Sequence, residues 1–263
     1  MTPRFRILVF LVPACVLAVV FVTAVSQLPA SGTFAGEYGE TLNHVAPVER
    51  HSTDVVTAVN FDYRGIDTLG EEFILFASAS GTVLLLRMHG QEKESKGSDR
   101  EEGERLERDV PPTSNAVRLL GLGLVGVSVV FGLYIVSHGQ VTPGGGFQGG
   151  VILATAPLLA YLAGGADVFK RIAPEHPVSA GEALGATLYV ATGLAGVIVG
   201  GAFLQNVLPA GKSGSIDSAG TIAILNPATG LEVAAGFVLI LTAFLAEMLK
   251  IDRSRGGRGG GEA

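Results

Sequence analysis

The chain has 263 residues, 48% of them hydrophobic and 16% charged, where an average soluble domain carries about a quarter charged residues. With 37 glycines, no tryptophan and a mean hydropathy of +0.46, neither a water-soluble globule nor a disordered chain fits the composition. The single cysteine excludes an internal disulfide, and a net charge of −6 gives no clustered basic face for nucleic acid.

The remaining class is a membrane protein, in which each span takes roughly 20 apolar residues to cover ~30 Å of hydrocarbon at ~1.5 Å per residue. Residues 7–25 form the first such run, uncharged and preceded by Arg4 and Arg6. A basic start and Ala24-Val25-Ser26 also fit a signal peptide. The run is longer than the ~7–15 residues of a signal core, so a retained span is expected. Residues 27–64 are polar and contain His44 and His51, whose spacing on a loop is expected to serve the surface rather than a metal ion. Within them, residues 55–61 are apolar between Asp54 and Asp62 and too short to cross. They are expected to form an interfacial or re-entrant helix leading into the next span.

Residues 69–88, 116–137, 147–166, 183–204 and 228–249 complete a set of six spans, so the expected fold is an all-α integral membrane protein. Glycines recur in the last four, where small residues let helix backbones approach in lipid. Placing the N-terminus in the cytoplasm and alternating six times leaves only Arg50, Arg64 and Lys212, of 18 basic residues, on the outer side. That asymmetry predicts a multi-pass protein of the cell membrane with both termini cytoplasmic.

Between the second and third spans, 13 of the 19 residues 91–109 are charged, which reads as a solvated linker. Pro111 and Pro112 stop any helix, and Thr113 and Ser114 offer a cap for the next. The chain therefore divides into a two-span module (1–90), a charged cytoplasmic linker (91–113), a four-span module (114–252) and a basic, glycine-rich tail (253–263), expected to be frayed.

Two segments could carry chemistry. In the first, Asp62, Arg64, Asp67, Glu71 and Glu72 crowd the mouth of the second span. Asp67 and Glu71 share a helical face with Arg64 one turn earlier, an arrangement suited to a proton or cation relay. Glu72 is expected to act as an interfacial charge that fixes helix depth. The second segment runs from His138 through Gln140, Thr142, Pro143, Gly144, Gly145, Gly146, Phe147, Gln148, Gly149 and Gly150. It satisfies G-x-G-x-x-G, but follows an apolar helix rather than a strand, so it is no dinucleotide fingerprint. Its glycines allow irregular backbone at membrane depth, where His138 and Gln148 could line a hydrated passage; a tight turn between helices is the alternative. Glu182, Glu232 and Glu247 lie near predicted span ends, where solvation is expected to accommodate them. All five lysines fall outside the apolar runs, so a pump that switches a buried Lys–Glu pair cannot be built from this chain alone. A P-loop is also lacking.

Taken together, these motifs resemble those of a known family. Residues 113–252, with His-Gly-Gln-Val-Thr-Pro-Gly-Gly-Gly-Phe-Gln-Gly-Gly from His138, are similar to MnhB, the B-type subunit of the Mrp (Mnh) multisubunit cation/proton antiporters. Residues 55–87, with Asn-Phe-Asp-Tyr-Arg-Gly-Ile-Asp-Thr-Leu-Gly-Glu from Asn60, resemble the C-terminal end of the large A-type subunit of that complex. The same piece occurs as a small subunit of membrane-bound hydrogenase-type complexes. The resemblance implies a non-pumping subunit of a Na⁺(K⁺)/H⁺ antiporter driven by proton-motive force. It would not be an enzyme, would need no cofactor or metal site, and would sit in the bilayer among A, C, D, E, F and G type subunits. Glu71, Pro143 and Phe147 are the positions the resemblance marks, and Glu72 departs from the apolar residue usual there. A purely structural scaffold and a subunit of a redox-driven, complex I-like assembly are the alternatives.

Overall fold

The structure, a computed structural model, describes residues 3–28, 36–94 and 114–256, so most of the expected linker and the end of the tail lie outside the described residues. Two compact units divide the chain, Met1–Thr41 and Leu42–Ala263. The first contains α1 (Pro3–Ser26), whose described part is apolar, and the start of α2 (Glu37–Glu49). In the second, α3 (Val55–Ala58) runs through a π-helical turn (Val59–Tyr63) into α4 (Gly65–Glu94). There follow α5 (Asn115–Ser137), α6 (Gly146–Ile172), α7 (Glu175–Gly200) and α8 (Ile222–Gly256). Among the described residues no strand occurs, and five helices are long and apolar enough to cross a membrane: Gly65–Leu86, Asn115–Ser137, Gly146–Ile172, Glu175–Gly200 and Ile222–Ala246. The fold is that of an all-α integral membrane protein. The first of the six expected spans is helical, but its apolar stretch within the described residues, Leu11–Ser26, is shorter than the other five.

Several span boundaries move, and the moves matter. Helix α7 starts eight residues before the expected position, behind Pro174 in extended conformation, and stops at Gly201, whose φ of 91° ends the helix in the left-handed region. Helix α8 starts at Ile222 rather than 228. Glu182 and Glu232 are thereby carried about two and three turns inside their helices, away from the rims where they were expected. The tail is helical as far as Gly256 rather than frayed from residue 253. The expected short helix before the second span is present, and the Ser114 side chain caps α5 by accepting from the Val117 amide at 3.3 Å.

Helix α8 is the hub. Half of its apolar stretch is buried, against 11–22% in the other four, and it packs on α4, α5, α6 and α7. Glycine makes these contacts possible. A Cβ at Gly185 of α7 would lie 2.6 Å from the Glu232 amide and 2.7 Å from the Ala228 carbonyl of α8; one at Gly150 of α6 would lie 2.8 Å from the Gly230 carbonyl. On the other flank, a Cβ at Gly149 would lie 2.8 Å from the Gly132 carbonyl of α5.

Loops at one end are stitched together across long sequence separations. The amides of Thr53 and Asp54 donate to the Gln140 carbonyl at 3.0 and 3.3 Å, and the Ser52 hydroxyl joins them at 3.0 Å. Arg50 pairs with Asp62 at 3.0 Å, Asn206 donates to the same carboxylate at 3.1 Å, and His51 Nδ1 meets the Gly211 carbonyl at 2.6 Å. The Tyr63 hydroxyl donates to Glu49 at 3.0 Å; burial, then this bond, raises the phenol above its usual range. Residues 50–67, 138–146 and 201–221 therefore share one end, and the turn around Pro174 occupies the other. Alternating crossings place Lys212 and Lys170 on opposite faces of the membrane. A membrane-impermeant amine reagent is expected to label only one of them in sealed vesicles of single orientation. Gly185→Ala forces backbone apart and should cost about 1–3 kcal/mol, seen as a lowered unfolding midpoint in detergent. Gly123→Ala meets nothing within 4 Å and should leave that midpoint unchanged or raised.

Candidate functional site

At the stitched end, the two motifs expected to carry chemistry meet. A cavity of about 190 Å³ is lined on one side by Thr57, Asn60, Phe61, Thr68 and Glu71, and on the other by Gly144, Gly145, Gly146, Phe147, Gln148 and Thr229. That volume has room for several waters. Glu71, on the exposed side of α4, and Gln148 in the first turn of α6 are thus brought to one site although 77 residues separate them in sequence.

The cavity exists because the chain before α6 adopts backbone angles closed to other residues. Gly144 and Gly145 have φ of +142° and +130°, a region that strongly favours glycine. The loop is pinned by Asn226 of α8, which is fully buried: its Oδ1 accepts from the Gly146 amide at 2.9 Å, and its Nδ2 donates to the Ile222 carbonyl at 3.2 Å. Asn226 thereby satisfies one of the free amides at the α6 N-terminus. Opposite it, the Asp54 carboxylate caps α3 through the Val56 amide at 3.0 Å and the Thr57 hydroxyl at 2.8 Å. The Thr68 hydroxyl donates to the Asn60 carbonyl at 2.7 Å, holding the π turn against α4.

Other expected residues lie elsewhere. His138 does not line the cavity; its ring stacks on Tyr134 at 4.1 Å, and Nδ1 lies 3.0 Å from both the Tyr134 carbonyl and the Ser137 hydroxyl. Asp62 belongs to the clasp with Arg50 and Asn206, and Arg64 pairs with Asp67 at 2.6 Å on the exposed surface. Thr142 closes the turn after α5 through its amide, 2.8 Å from the His138 carbonyl, and Pro143 is exposed. Gly149 and Gly150 serve the helix contacts described above.

The sharpest correction concerns the acids. Glu72, expected at the interface, is 1% exposed, and Glu182 and Glu232, expected to be solvated at helix ends, are 3% and 0% exposed. Successive residues in a helix point about 100° apart, so Glu71 and Glu72 divide between the cavity and the interior. The Glu247 side chain lies outside the described residues. Sequence reasoning also passed over Asn226 and Thr229, which with Glu232 form a polar series of spacing three inside an apolar stretch. That spacing was the available signal.

Among known proteins, the family described as "Domain related to MnhB subunit of Na+/H+ antiporter" matches residues 116–239. An uncharacterized protein of Methanocaldococcus jannaschii is 33% identical over 217 residues, covering 74% of this chain and 78% of the relative. The A/B-type subunit of a probable K(+)/H(+) antiporter from Rhizobium meliloti is 25% identical over 169 residues; the match takes in 60% of this chain and 17% of that much longer protein. A chain of the membrane-bound sulfane sulfur reductase, an archaeal respiratory membrane complex, superposes with a TM-score of 0.66 at 26% identity, covering 92% of this chain and 98% of that one. A chain of the Mrp complex from Dietzia sp. shares the fold, with a TM-score of 0.68 at 24% identity over 92% of this chain and 26% of the other. Residues 116–239 thus belong to the MnhB-related domain family, and the chain is of the Mrp/MnhB type.

Proposed function

We propose that this chain is a non-pumping subunit of an Mrp-type Na⁺(K⁺)/H⁺ antiporter complex, supplying part of an ion and proton path beside the subunits that pump. Proton-motive force drives the exchange, and neither an enzymatic reaction nor a resident cofactor belongs to this reading. The observation that carries it is the cavity at which Glu71 meets the glycine loop and Gln148. An ionisable side chain is costly at membrane depth and is kept where water or a partner reaches it. A recess with room for several waters, bounded by the glycine loop and Gln148, meets that need. The complex would contain A, C, D, E, F and G type subunits in the cell membrane. The excess of basic residues around the other end of the helices supports cytoplasmic termini.

A second reading has its own support. The chain of the respiratory complex is matched over 98% of its length, so the same kind of subunit could serve an assembly in which electron transfer drives ion movement. Membrane vesicles separate the two: exchange that runs on an imposed pH gradient without electron donor supports the antiporter, and exchange that requires the donor supports the redox complex. Within the first reading, Glu71→Gln is expected to abolish cation/proton exchange while the complex still assembles on a native gel. Normal exchange from that variant would leave the chain as a scaffold.

A further inference from the structure

Three acids on three different helices lie inside the bundle with no cation beside them among the described residues. Both carboxyl oxygens of Glu72 on α4 and of Glu232 on α8, and Oε1 of Glu182 on α7, are buried without a hydrogen-bond donor. Glu72 adjoins Glu232, and the charge of Glu232 also acts on Glu182. Among the described residues, the other polar groups acting on Glu72 are Glu71, Tyr189 and Thr229, with Thr68 beside Tyr189, and none of these is basic. Tyr189 and Thr68 are already committed, donating to the Gly65 and Asn60 carbonyls at 3.0 and 2.7 Å. Thr229 is not. Its Oγ1 is fully buried, has no partner, stands beside Glu72 and belongs to the cavity wall.

These groups are staggered along α8. From Thr229 to Glu232 is a rise of ~4.5 Å, and from Glu232 to Gly236 a further ~6 Å. Glu182 Oε1 lies 3.4 Å from where a Cβ of Gly236 would stand, so it rests beside α8 one turn beyond Glu232. Ionised carboxylates packed together away from water and without a counter-charge are prohibitively costly. Among the described residues, no group of three or more acidic, histidine or cysteine side chains is placed to hold a metal ion.

We propose that Glu72, Glu232 and Glu182 form a proton-carrying chain through the interior of this protein, loaded from the cavity across Thr229. A proton taken up at Glu72 displaces one from the Glu72–Glu232 pair to Glu182, and Glu182 releases one toward the Pro174 end of the bundle, so the number held is unchanged after each passage. The inference deepens the function proposed above and rests on it for what drives the proton, while the occupancy of the chain is tested separately.

The test is infrared spectroscopy on the purified complex, followed by proton uptake in vesicles. The intact complex at neutral pH should show a protonated-carboxyl C=O band that shifts in heavy water. Glu232→Gln should remove or displace that band and lower proton uptake about tenfold or more, and Glu232→Asp should restore part of both. If Glu232→Gln prevents assembly, the same loss of band in Glu72→Gln or Glu182→Gln supports the chain equally. A band absent from the intact complex, or unaltered in every variant that assembles, overturns the proposal. A band lost in the variants of a complex that performs no cation/proton exchange upholds the chain and overturns the antiporter reading instead.

Discussion

The arrangement depends on how closely the other helices approach the backbone of α8. Lipid supplies no hydrophobic drive between helices, so association rests on close packing and on polar contacts. Gly150, Gly185 and Gly146 each occupy a point where a side chain would strike the α8 backbone or its Thr229 and Val233 side chains. With its neighbours drawn in, α8 can carry Asn226, Thr229 and Glu232 through the middle of the bundle, all fully buried. Asn226 then shapes the loop before α6, and that loop shapes the cavity. One packing requirement thus positions the polar interior and the recess that adjoins it.

The helical membrane fold was legible in the sequence because an apolar run of the right length has few other solutions in a bilayer. The cap at Ser114 and the short helix before the second span follow from local signals of the same kind, whereas the meeting of Glu71 with the glycine segment is a tertiary contact that no local signal announces. The ends of α7 and α8 did not. A hydropathy window shrinks where charge begins, so the span beside Glu182 is trimmed to start after it and the span holding Glu232 to start four residues before it, and each acid is then read as lying at an end. Burial of those acids is a tertiary fact: Gly185 lets α7 close on α8 at Glu232, and Glu182 lies against α8 at Gly236. His138 was misplaced for the opposite reason, since proximity in sequence to the glycine segment says nothing of which way a ring turns after the helix has ended.

Charge is sorted by role within a short stretch of chain. Arg50, Asp62, Arg64 and Asp67 neutralise one another in pairs at the end of the bundle, where each exposed pair contributes little stability and the clasp mainly fixes loop geometry. Glu71 faces the recess, and Glu72 faces inward without a basic partner. The contrast between adjacent glutamates is produced by helical geometry alone, and it separates a group that water can reach from one that depends on its protein neighbours.

The bonds from residues 52–54 to Gln140 tie the chain immediately before the segment resembling the end of the A-type protein to the segment resembling MnhB, and both sides of that joint lie outside residues 95–113. Their fit is made by contact, so the covalent connection has a different effect. It locks the two pieces at one copy each as they leave the ribosome. Two separate chains would have to be balanced in production, whereas this polypeptide cannot be made with either half in excess.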